Sequence, residues 1–182
     1  MTQHDRAWEA MPDEESHAHW TEFIARHGFR PGVRPEDWPA LDEPVPSVTY
    51  DLTPLFEAVE PESTAVLDRL ERLVLAALTE AFPVGERLAV LDWQHTGHWF
   101  RPQLASDAPW PVPAFPNGDY HLFLTEDMTD GLLGHPWERT LCVFGPRLTA
   151  TLVPRLSWLP VTRSRQPGGP GRAQPSDSAD GR

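Results

Sequence analysis

The sequence predicts an α+β fold: a mainly antiparallel sheet of about five strands, with two or three helices packed on one face. Three observations carry this expectation. Apolar residues recur at helical spacing in two segments, Pro12 to His27 and Pro61 to Phe82. Beyond the second segment the pattern changes to short runs rich in β-branched and aromatic residues, separated by turn formers. The resulting order is helix, strand, long helix and then a series of strands, with no internal repeat, which places helices against a sheet rather than alternating with its strands.

The first helix carries Asp13, Glu14 and Glu15 in its opening turn, where negative charge suits the helix dipole. Trp20, Phe23, Ile24 and His27 fall on one stripe, and Gly28 can take the left-handed cap. In the next segment, "FRPGVRPEDWPALDEPVP", proline recurs too often for regular structure. It reads as an ordered wrap anchored by Phe29, Trp38 and Leu41. "SVTYDL" alternates as a strand should, and "TPLFEAV" adds a short helical turn.

The second long helix has Pro61 in its first turn and a stripe of Val66, Leu70, Val74, Ala77, Leu78 and Ala81. Pro83 and Gly85 end it. "RLAVLDWQ" with "HWFRP" predicts a hairpin, "DYHLFLTE" and "RTLCVFG" further strands, and Leu132 and Leu133 a short one. "PRLTATLVPRL" reads as a closing helix started by Pro146 and stopped near Pro154. Residues 1–159 are expected to form a single α+β domain. Residues 160–182, rich in Pro, Gly, Ser and Arg, are expected to be a disordered tail.

The net charge of −12 argues against nucleic-acid binding, which needs a basic patch to neutralise phosphates, and against docking on anionic lipid. No run approaches the roughly 20 apolar residues that span a bilayer, and the N-terminus lacks a signal-like apolar core. A cytoplasmic location follows as the expectation. The lone cysteine, Cys142, lies in an apolar strand and is expected to be buried and inert.

"LDWQHTGHWF" sets His95 and His98 three residues apart. A two-residue loop at Thr96 and Gly97 would bring them face to face, but a β-branched residue resists the positive φ that such a turn requires. A three-residue loop with Gly97 left-handed is sterically easier; it opposes Trp93 to Trp99 and separates the histidines. A zinc site needs three or four converging ligands, so Asp92, Asp119, His121, His135 or Glu138 would have to complete one. Their scatter matches no metal motif, and no metal or other cofactor is expected. His98 and His121 read as partly exposed strand residues, and His95 and His135 as turn residues bonded to backbone. Asn117 and Asp119 suit turn chemistry around Gly118, and Glu138 with Arg139 an edge ion pair. No G-x-S-x-G elbow is present, and the only glycine-rich run lies in the tail, away from any helix.

"LDWQH" at 91–95, "FPNGDYHLFL" at 115–124 and "LGHPWERTLCVFG" at 133–145, with "DWPALDEPVPSVTYDL" upstream, resemble a bacterial domain-of-unknown-function family, family 2716. The resemblance covers roughly residues 20–150. It includes Asp92, Trp93, Gln94, His95, Asn117, Gly118, Asp119, Tyr120, Gly134, His135, Pro136, Trp137 and Glu138, but not His98 or His121. It implies a domain and no activity.

These residues suggest a cleft at one sheet rim, lined by Trp93 and Trp137 and carrying Asp92, Gln94, His95, Asn117, Asp119, His135 and Glu138. The function expected is a non-catalytic binding or interaction module whose partner is another protein or a small ligand, with hydroxyl-rich ligands suited to aromatic faces beside Asn and Asp. The alternative is a metal-assisted hydrolase using His95, Asp119 and His135, with Glu138 as general base.

Overall fold

The computed structural model describes residues 6–106 and 108–168. It is α+β, with more of each element than the sequence suggests. Eight strands form one antiparallel sheet: β1 (Trp8–Ala10), β2 (Ser47–Asp51), β3 (Leu88–Asp92), β4 (His98–Phe100), β5 (His121–Thr125), β6 (Gly131–His135), β7 (Thr140–Phe144) and β8 (Val161–Arg165). Their order across the sheet is β1-β4-β3-β5-β6-β7-β2-β8. Four helices accompany them: α1 (Asp13–His27), α2 (Thr53–Phe56), α3 (Glu62–Ala81) and α4 (Pro146–Leu152).

The helices cover both faces of the sheet, not one. On the first face, α3 presents Leu70, Val74, Ala77 and Leu78, and α4 presents Leu148 and Leu152, to Leu88, Val90, Phe123, Leu141 and Val143. On the second, Trp20 and Phe23 of α1, with Phe29 and Leu41 from the proline-rich wrap, meet Ala89, Leu91, Leu122, Leu124 and Cys142. Successive strand residues thus alternate between two cores, as the pleat requires. A sheet covered on both sides has no solvent face to keep polar, so "LAVL" and "HLFL" run apolar without alternation. Cys142 is buried as expected, and burial pushes its thiol up to about 12.

The two long helices lie within a residue of their expected limits, and Gly28 caps α1 in the left-handed conformation. β8 departs from expectation, because it falls inside the segment read as a disordered tail yet pairs with β2 along Ser47 to Tyr50. Its order comes from this pairing and from Arg163, which reaches Glu43 and Glu138. The remainder of that segment, residues 169–182, lies outside the described residues. Among the described residues no helix is long and apolar enough to cross a membrane.

Candidate functional site

The register across the sheet brings three polar turns to one rim. Asp92 at the end of β3 pairs with His121 at the start of β5, His121 with Gly134 of β6, and His135 at the end of β6 with Thr140 at the start of β7. The turns containing Gln94, Asn117 and Trp137 therefore leave the same edge of the sheet. Their side chains do not form one cluster, because Tyr120, 1 % exposed, stands between two groups.

The first group gathers around Asp92. β4 pairs with β3 only from Leu88 to Val90, opposite Phe100 to His98, so neither tight-hairpin register forms and Trp93 does not oppose Trp99. β3 instead continues to Asp92 against β5, and the chain returns through a longer loop. Gln94, not Gly97, takes the positive φ, at 69°. Gly97 serves close approach: a Cβ there would stand 2.8 Å from Ser16 Oγ on α1. Its carbonyl accepts the Met11 N–H at 2.8 Å, which ties the loop to the start of α1.

This loop directs His95 back over Asp92, with Nδ1 at 3.0 Å from Asp92 Oδ1. The hydrogen bond and the charge of Asp92 raise the His95 pKa above its ordinary value. Asp119 joins them, so that ligand atoms of Asp92, His95 and Asp119 all lie within 4.8 Å of one another. Burial raises the Asp119 pKa, and the nearby Asp92 charge raises it further. His121, 3 % exposed and not the partly exposed residue expected, holds its Nδ1 at 2.9 Å from the Pro113 carbonyl and its Nε2 at 3.9 Å from Asp92 Oδ1.

A cleft of about 850 Å³ opens beside this group, between α1 and residues 92–98. Trp20 and Trp93 form an apolar corner, with ring centroids 4.9 Å apart and planes at 88°. Asp13, His17, Asp92, Gln94 and His95 supply polar edges. His98, read from sequence as an ordinary strand residue, lines the cleft half-buried, and its Nδ1 is buried without a hydrogen-bond partner. Burial lowers its pKa.

The second group is structural in its bonding. The Glu138 backbone N–H donates to His135 Nδ1 at 3.1 Å, so that nitrogen is unprotonated and Nε2 carries the ring hydrogen, facing the Tyr120 hydroxyl at 3.3 Å. The Tyr120 hydroxyl also accepts from the Gly32 N–H and donates to the Gly32 carbonyl, which fastens the proline-rich wrap to the sheet. Burial pushes the His135 pKa down to about 4, keeping the ring neutral. Glu138 does not pair with Arg139, which reaches Glu57 instead. It takes both terminal nitrogens of Arg163 and accepts from the Thr140 hydroxyl.

The set His95, Asp119, His135 and Glu138 therefore divides: two members lie in the Asp92 group, and two are engaged elsewhere. Trp137, 37 % exposed, packs on Tyr120 rather than in the cleft. Asn117 is exposed beside Gly118, whose φ of 92° the turn requires. The α1 face of the cleft, Tyr120 and Arg163 were not identified from sequence as site residues. Among these only Tyr120 carried a signal, its place in the family pattern.

A protein of Bacillus subtilis (strain 168), described as "Uncharacterized protein YxiI", is 33% identical to this chain over 147 residues, covering 78% of this chain and 89% of that protein. No solved structure matches significantly. A family model described as "Protein of unknown function (DUF2716)" matches residues 10–149, a span that holds α1, the Asp92 group and the cleft; the chain belongs to that family.

Proposed function

We propose that the protein is a binding module whose ligand is a neutral or cationic organic molecule of small-molecule size, seated in the cleft between α1 and residues 92–98. The observation that carries this reading is the chemistry of the cleft wall. Its volume of about 850 Å³ lies in the range of small-ligand pockets, and aromatic faces adjoin a few polar groups there. Its carboxylates are Asp13 and Asp92, no arginine lines it, and the positive charge that the raised His95 pKa favours is held against Asp92. The chain has no lysine to offer an anion either. Phosphates and carboxylates thus meet repulsion, while hydroxyl and amine groups find acceptors and Trp20 and Trp93 take an apolar portion.

The test is ligand-observed NMR on the full chain in the presence of a chelator, using matched sets of cationic, neutral and anionic fragments. Cationic and neutral fragments are expected to bind, to compete with one another, and to lose affinity in Trp93→Ala and in Thr21→Trp, which fills the cleft. Preference for anionic fragments, or binding indifferent to both substitutions, would overturn the proposal.

A further inference from the structure

Beside the organic-ligand cleft, the geometry points to a divalent transition-metal site formed by Asp92, Asp119, His95 and His121. The inference goes beyond the ligand proposed above and does not need it, since the cleft shares only Asp92 and His95 with the four.

The decisive residue is His121. Its ring nitrogen Nδ1 faces a backbone carbonyl, that of Pro113, at 2.9 Å. A carbonyl accepts and never donates, so Nδ1 carries a proton, and in the neutral ring the lone pair is left on Nε2. That lone pair points toward Asp92 Oδ1, 3.9 Å away, from a side chain only 4% exposed. Among the described residues no group donates to Nε2. Two acceptors thus face each other, and one of them, the Asp92 carboxylate, also belongs to the group it forms with His95 and Asp119. A cation between them satisfies every lone pair. A backbone carbonyl fixing one histidine nitrogen while the other points at a metal is also how metal-bound histidines are commonly oriented.

The spacing agrees. Two donors held by one ion at about 2.1 Å stand about 3.0 Å apart at a right angle and about 4.2 Å apart when opposed. The separations around Asp92, 3.0 Å to His95 Nδ1 and 3.9 Å to His121 Nε2, fall inside that range. Asp92, His95 and Asp119 lie within 4.8 Å of one another, His121 joins them through Asp92 alone, and side-chain rotation is needed to bring all four onto one ion. Two imidazole nitrogens and two carboxylates suit zinc, manganese(II) or iron(II), whereas calcium and magnesium prefer oxygen ligands alone. The site opens toward the cleft through the exposed His95, leaving an ion there reachable from solvent.

The test uses the full chain, stripped of metal with a chelator and then freed of it. Zinc and cobalt(II) are titrated separately, by calorimetry and by the visible spectrum of cobalt. One equivalent is expected to bind, with magnesium far weaker. Because Asp92 and His121 are buried enough that their loss could perturb folding, the substitutions are His95→Ala and Asp119→Asn; each is expected to weaken binding by about tenfold or more. His17→Ala, in the cleft wall but outside the four, is expected to leave it unchanged. No stoichiometric uptake, uptake indifferent to His95→Ala and Asp119→Asn, or equal loss in His17→Ala would each overturn the site. So would nitrogen NMR of the metal-free chain showing His121 protonated on both nitrogens at neutral pH, since Asp92 and His121 would then be an ordinary ion pair. Metal is titrated without organic ligand and fragments are screened with chelator present, so the two proposals fail separately.

Discussion

Two groups of charged side chains share one rim of the sheet on either side of Tyr120, and they are partnered in opposite ways. Around Arg163 each group has a complement: the guanidinium spans Glu43 and Glu138, Thr49 donates to Glu43, Thr140 donates to Glu138, and His135 is held neutral between a backbone N–H and Tyr120. Around Asp92 the contacts are sparser: Asp92 Oδ1 meets His95 Nδ1 at 3.0 Å, Asp119 accepts the Tyr120 backbone N–H, and His121 Nε2 stands 3.9 Å from Asp92. Burying polar groups without complements is costly, and the buried Arg163 group meets that cost with partners inside the fold, whereas the more exposed Asp92 group leaves capacity that solvent or a ligand can meet.

The comparison breaks most visibly at Arg163. Arg163→Met removes the cation that bridges two carboxylates, of which Glu43 is 6 % exposed, and should destabilise the fold by about 3–4 kcal/mol in urea denaturation at neutral pH. A loss below about 1 kcal/mol would show that this group is no more structural than an exposed ion pair.

His135 sharpens it through pH. The unfolded chain protonates this ring near its ordinary value, whereas the fold resists protonation until about 4. The contribution is therefore whole above the ordinary histidine value, declines as pH falls toward 4 and is lost below it. At about 1.4 kcal/mol per pH unit, the loss across that window reaches about 3 kcal/mol. Comparing the stability–pH profiles of the native chain and His135→Gln isolates this share, and a variant profile just as steep would exclude it.

The smallest effect is expected at Asp119. Burial already disfavours its charge, so Asp119→Asn should change unfolding free energy by less than about 1 kcal/mol, in the stabilising direction. A large destabilisation would make the Asp92 group structural after all and erase the contrast with Arg163.

Legibility follows the range of the interactions. α1 and α3 could be read because a helix writes its buried face at a fixed spacing within one segment. β8 could not: "VTRSR" is polar, and its order comes from β2 and from acidic residues far off in the chain. The covering of both sheet faces did leave a trace, the unbroken apolar runs of β3, β5 and β7, which a one-faced reading passes over. In the site, His95 and Asp119 were identifiable by residue type and turn position. His121 reads from sequence as a partly exposed strand residue outside the family pattern, and only the covering of both sheet faces buries it.

What the sequence alone determined was the inventory: an acidic chain without lysine, two amphipathic helices, apolar strands, and polar residues concentrated in three turns. Which of those residues meet was decided by tertiary structure. Strand pairing sets Asp92 beside His121 and sends His135 and Glu138 toward Arg163, and no local pattern encodes that partition. Periodicity records which way a side chain faces along its own element; the neighbour it meets depends on register between strands distant in sequence.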